Sequence, residues 1–193
     1  MEIKNRIIHA CQDLIMECGY RGFSMNELAA RSGVSKRTLY RRFRSKDQVI
    51  EATLDMFMQD MGQDLESTIM QPGDPVTIMN DIFAQLLARG QFTLNSRSLD
   101  DLRRYYPHLW AKIDQFRRTR IHYIFSLLSP PGQPGLIHDV DPRIVLAVLT
   151  ASIQAVLNPE FILSNGLTFE ETAPQLSRVL LEGILALSSP RET

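Results

Sequence analysis

Seven Lys or Arg residues fall between Arg31 and Lys46, and no Asp or Glu interrupts them. At that density, with Thr38 and Tyr40 set among them, the suitable chemistry is charge-assisted hydrogen bonding to a polyanion. Their placement sharpens the point. Ser35 is of the type that caps a helix, which puts Lys36 and Arg37 in the first helical turn. Positive charge there opposes the helix dipole, at a cost of about 0.3–1 kcal/mol. Folding gains nothing obvious from that placement, whereas an anion at that end meets both the cations and the free N–H groups. Lys36, Arg37 and Thr38 would stand nearest base edges, with Arg37 able to fork onto guanine. Tyr40, Arg41, Arg42 and Lys46 would hold phosphates and set register. Ser24 and Ser35 would cap their helices and touch phosphate as well. For a charge run taken alone, a solvated basic surface around a core tyrosine is the plainer alternative.

Such residues need a rigid corner to present them. Ser24 with Glu27 three residues later forms a capping box, opening a short helix to about Ser32. Gly33 breaks it and allows the turn a positive φ. A second short helix follows Ser35 and ends near Phe43. Ala29 is small where the two helices must cross. Leu28, Val34, Leu39 and Phe43 are spaced to bury against a first helix over about Glu2–Cys18. Two short helices joined at a Gly-containing turn are the geometry of a DNA-reading helix-turn-helix.

The stretch from Gly19-Tyr20-Arg21-Gly22-Phe23-Ser24-Met25 through Gly33-Val34-Ser35-Lys36-Arg37-Thr38-Leu39-Tyr40-Arg41-Arg42-Phe43-Arg44-Ser45-Lys46 closely resembles the TetR family of regulators. The resemblance covers about the first fifty residues. It implies an all-α homodimer with a three-helix DNA head, a fourth helix linking that head to a ligand-binding core, and a four-helix interface made by the last two helices of each copy. Arg37 stands where the family often has Gly, and Arg42 where it often has an aromatic, so an operator sequence does not transfer. The expected division is a DNA-binding domain over 1–47 and a ligand-binding and dimerisation domain over 48–193.

Charge distribution agrees with a basic head on an acidic body. Residues 1–50 hold ten Lys/Arg against five Asp/Glu, and residues 51–193 hold eleven against seventeen, within a formal net charge of −1. About 44% of the 193 residues are apolar, enough for a real core. Cys11 and Cys18 lie on one helical stripe and read as buried thiols in a reducing cytoplasm. The first residues do not form a signal peptide, and no stretch approaches the ~20 apolar residues of a membrane span.

Helical periodicity continues to the end, for about nine helices in all and no convincing strand. A long helix follows Ser45 and runs to about Met70. Others are expected from Asp74 to about Ala88, from Ser98 to Pro107, and then from Leu109 to Leu128. Ser129–Asp139 reads as a loop. A helix from Asp141 to about Leu157 stops ahead of Pro159. A last helix opens at the Thr168/Glu171 capping box, or at Thr172 if Pro174 disturbs it. The helices near Arg143–Leu157 and Ala173–Leu187 are the dimer candidates, the latter through Leu176, Leu180, Ile184 and Leu187, with Ser177 and Gly183 allowing close approach.

Met61, Phe83, Leu86, Leu102, Trp110, Ile113 and Phe116 are the candidate lining of a cavity for a hydrophobic or aromatic effector, though an ordinary helical core has the same composition. Arg117, Arg118 and Arg120 read as a solvated helix face, with salt bridges or an anionic ligand as the alternatives. His9, His108, His122 and His138 lack metal spacing, and no cofactor motif, phosphate loop or nucleophile elbow is present. The expected function is a repressor released from a palindromic operator by a small molecule. An activator or an effector-independent DNA binder would keep the same head. An α-helical enzyme built on the Met/aromatic cluster is the remaining rival.

Overall fold

A computed structural model describes residues 2–73, 75–94, 96–128 and 140–188. The described residues form ten helices and no strands. The expected cap at Asp74 and the loop at Ser129–Asp139 lie outside them, as do the side chains of Ile184 and Leu187.

Three short or medium helices come first. These are α1 (Ile3–Cys18), α2 (Met25–Ser32) and α3 (Lys36–Arg42). Their starts and stops follow the sequence signals. The Ser24 hydroxyl accepts the Glu27 N–H at 3.2 Å, and the Glu27 carboxylate accepts the Ser24 N–H at 2.7 Å. The Ser35 hydroxyl accepts the Thr38 N–H at 3.1 Å. Leu28, Ala29 and Leu39 are buried with Ile7, Cys11, Leu14 and Ile15 of α1, while Val34 is half-buried. This is the expected three-helix corner.

Gly33 closes α2 in the left-handed region, at φ 64° and ψ 34°. The sequence did not show what surrounds it. The Arg6 guanidinium, reaching across from α1, donates to the carbonyls of Ser32 at 2.7 Å and Gly33 at 2.9 Å. A Cβ at position 33 would lie 2.6 Å from Arg6 Nη2. Gly33→Ala therefore combines left-handed strain with a displaced clamp. It is expected to destabilise the protein by about 1–2 kcal/mol, read as a lowered Tm.

The long α4 (Lys46–Ile69) leaves the corner and runs into the body. Ser45 caps it through the Gln48 N–H at 3.2 Å, and Gln48 Oε1 accepts the Arg44 N–H at 2.8 Å. Around α4 stand α5 (Pro75–Leu94), α6 (Ser96–Tyr105), α7 (Pro107–Leu128), α8 (Pro142–Val156), α9 (Pro159–Ser164) and α10 (Phe169–Ser188). One apolar core is continuous from Ile7 through Leu54 and Leu65 to Leu109 and Ala173. A smaller cluster joins Met79 of α5, Val145 and Leu149 of α8, and Leu180 of α10.

Several boundaries differ from expectation. α5 runs past Ala88 to Leu94, because a lone Gly such as Gly90 costs only about 1 kcal/mol in a helix and need not end it. α6 starts at Ser96 rather than Ser98, and Ser98 is buried inside it. α10 starts at Phe169 with the Thr168/Glu171 box complete, so Pro174 sits within its second turn. α9 is an addition to the expected set. Asn158 caps it by accepting the Phe161 N–H at 2.8 Å, and Pro159 takes the first helical position.

Tyr20, in the turn after α1, is completely buried, and its hydroxyl has no hydrogen-bond partner among the described residues. Burial pushes that hydroxyl's pKa well up. Tyr20→Phe removes a desolvated donor without leaving a cavity. It is expected to raise stability by about 1 kcal/mol, visible as a higher midpoint in thermal or urea melting.

Candidate nucleic-acid interface and cavity

α3 buries Leu39, and Phe43 just beyond it, and turns the rest outward. Lys36, Arg37, Tyr40, Arg41 and Arg42 are exposed, as are Ser35 and Arg44. Tyr40 is 50% exposed, so it is not the core tyrosine of the plainer alternative. The side chains of Lys36, Arg37, Arg41, Arg42 and Arg44 form no ion pair or hydrogen bond among the described residues. Cations elsewhere do: Arg31 is held by Glu17 at 2.6 Å, Arg104 by Asp100 at 2.8 Å, and Lys112 by both Glu51 and Asp55. The corner thus presents a cluster of unneutralised charge at the start and outer face of one short helix. Thr38 is half-buried and its hydroxyl lies 2.9 Å from that of Ser35.

Lys46 is placed differently from its neighbours. Its ammonium donates to the Phe23 carbonyl at 2.6 Å and lies 4.0 Å from the Phe23 ring centroid. Partial burial lowers its pKa. At least one of its three donors is therefore committed to holding the start of α4 against the α1–α2 turn.

Two further contacts tie corner to body, and sequence reasoning missed both. The Arg21 N–H donates to Asp101 of α6 at 2.9 Å. The Arg21 guanidinium also covers the Tyr105 ring at 3.8 Å. The Asp101 carboxylate thus reaches eighty residues back along the chain.

The body contains a cavity of about 120 Å³. Met61, Phe83, Leu86, Ile113 and Phe116 line it, five of the seven expected residues. Leu102 does not: it is fully buried in the main core. Trp110 does not either; its ring lies beneath the Arg117 guanidinium, 4.8 Å from ring centroid to guanidinium carbon. Arg117 and Arg120 belong to the wall, which corrects their reading as a solvated face. Leu176, Ser177 and Leu180 of α10 also line the cavity.

Comparison with known proteins agrees with this geometry. Residues 7–53 match the family model described as bacterial regulatory proteins, tetR family. A Bacillus subtilis relative, the uncharacterized HTH-type transcriptional regulator YvaF, is 31% identical over 183 residues, covering 94% of this chain and 95% of its own. The chain belongs to the TetR family.

As a TetR-family protein it is a transcriptional regulator with a DNA-binding helix-turn-helix, and the relatives it matches are regulators rather than enzymes. The fold is shared widely among solved structures. A TetR regulator from Haloarcula marismortui superposes with a TM-score of 0.71 at 19% identity, covering 94% of this chain and 97% of that one. The regulator FadR from Bacillus subtilis, in complex with stearoyl-CoA, gives 0.59 at 17% identity, covering 93% and 98%. Among the described residues, no helix of this TetR-family chain is long and apolar enough to cross a membrane.

Proposed function

We propose that this regulator is a homodimeric repressor, released from a palindromic operator when a small, largely hydrophobic or aromatic molecule fills the body cavity. The observation that carries the reading is the double duty of α4. Phe57, Met58 and Met61 of that helix form part of the cavity wall, while its first turn is fastened to the corner by Lys46 and the Ser45 cap. An occupant that favours a different α4 tilt would change the spacing of two heads. This is a population shift, and it requires differential affinity for the two states. FadR's complex with stearoyl-CoA supports an effector that carries a hydrocarbon chain, by analogy of fold.

In this reading residues 1–47 serve as the DNA head and 48–193 as the ligand-binding and dimerising body. Lys36, Arg37 and Thr38 face the bases. Tyr40, Arg41 and Arg42 face phosphates, with Ser24 and Ser35 at the helix starts beside them. Lys46 acts chiefly as the strut of α4. For the second copy, α8 supplies an outward stripe of Ile144, Ala147, Val148, Ala151 and Ala155, all exposed in the single chain. Their spacing of three and four residues makes one continuous apolar face, and small residues allow a helix to approach closely. Val179 of α10 is 66% exposed and extends the apolar surface.

Selection of bound duplexes from random DNA, at fixed salt, tests the whole. A palindromic winner with half-sites one helical turn or a multiple apart is expected. Recovery of unrelated sequences with no two-fold symmetry would overturn the dimeric reading.

A further inference from the structure

Apart from Ser177, the polar residues lining the cavity are two arginines about one helical turn apart on α7, Arg117 and Arg120. Their acidic partners, Asp114 and Glu66, are not among the lining residues. Arg117 donates to the Leu157 carbonyl at 2.8 Å and to Asp114 at 3.1 Å, yet its Nε is buried with no partner. A guanidinium N–H left unfilled against hydrocarbon is costly unless something else accepts it.

Arg120 donates through Nη1 to Glu66 at 2.8 Å, and its Nη2 and Nε have no acceptor among the described residues. The seat of this guanidinium is prepared from the facing helix. Gly62, buried in the middle of α4, is the residue beneath it. A Cβ there would lie 2.4 Å from Arg120 Nη2 and 2.9 Å from Cζ. Glycine inside a helix weakens it. Here it leaves room for the cation to lie against α4 at the edge of the cavity.

We infer that the molecule this cavity accepts is an amphipathic carboxylate, its hydrocarbon among Phe57, Met61, Phe83 and Phe116 and its anionic head at the Arg117–Arg120 end. The inference rests on the proposed effector role of the cavity and adds the charge of the ligand. Two planar forks with spare N–H groups suit a carboxylate better than a hydroxyl, since a charged acceptor strengthens each bond. An ammonium head would find guanidinium donors and no carboxylate among the lining residues.

Calorimetric titration of the full-length chain with straight-chain carboxylates of six to twelve carbons, beside 1-alkanols and alkylamines of equal length, tests this. The carboxylate is expected to bind at least about tenfold more tightly than the alcohol, a difference of roughly 1.4 kcal/mol, and the amine more weakly than either. Arg120→Gln should bring acid and alcohol within about threefold. Gly62→Ala, which keeps the charge but displaces it while favouring the helix, should do the same. If the parent protein binds alcohol as tightly as acid, the carboxylate inference fails while the effector cavity stands. If no chain of any length or head group binds, both fail.

Discussion

Arg37→Ala should weaken operator binding by about 1–3 kcal/mol per half-site and relax the choice of base at the position it faces. The expectation follows from three facts about one side chain. It lies in the first turn of α3, it is exposed, and no acid among the described residues neutralises it. Arg104→Ala is the matched control: it removes an equally permanent charge, but one already paired with Asp100 on the surface of α6. Fluorescence anisotropy with a labelled duplex should show a large loss for the first and none for the second. Neither variant should melt differently from the parent, because exposed arginines contribute little to folding. Equal loss in both variants would mean that general charge, rather than the corner, governs binding.

Val148→Asp is the second large effect. In the isolated chain this side chain is 53% exposed, so the carboxylate can remain in water and the fold should persist. At a helix-on-helix interface the same carboxylate would be buried without a partner and would appear twice across the two-fold axis. The dimer dissociation constant should rise by at least about 100-fold, equivalent to roughly 2.7 kcal/mol. Sedimentation should then show a folded monomer at concentrations where the parent is dimeric. Operator affinity should fall with it, although no DNA-facing residue has changed. A variant that stays dimeric would move the interface away from the α8 stripe.

The corner was legible because its signals are local. Ser24 with Glu27, Gly33 at a left-handed turn, and Leu28 and Leu39 pointing inward each depend on neighbours within a few residues. Helix type was legible throughout for the same reason. The strip Asn158-Pro159-Glu160 was also a start signal, a capping residue followed by proline at the first helical position. It was read only as a stop, so α9 was missed. The stripe Leu176/Leu180 shows the limit of periodicity, which identifies an apolar face without saying what that face meets. Cavity and core have the same composition, hence Leu102 and Trp110 were placed in the lining, and tertiary packing put them elsewhere. Contacts such as Arg6 with Ser32, Arg21 with Asp101 and Lys46 with Phe23 join segments far apart in the chain, and no spacing rule announces them. Arg117 and Arg120 were misread because a charge run on a helix is usually solvated; Gly62, one helix away, gave no sign in sequence of the room it makes.

The salt dependence of binding to a selected operator measures the central claim most directly. Cations left unpaired on the protein should displace counterions from phosphates, and each phosphate neutralised contributes about −0.9 to the slope of log K against log salt. With two heads on a duplex, a slope steeper than about −5 between roughly 50 and 200 mM salt is predicted, becoming shallower when Arg41 and Arg42 are replaced by Ala. A slope near zero, or one unchanged by those replacements, would contradict the assignment of α3 as the surface that meets DNA.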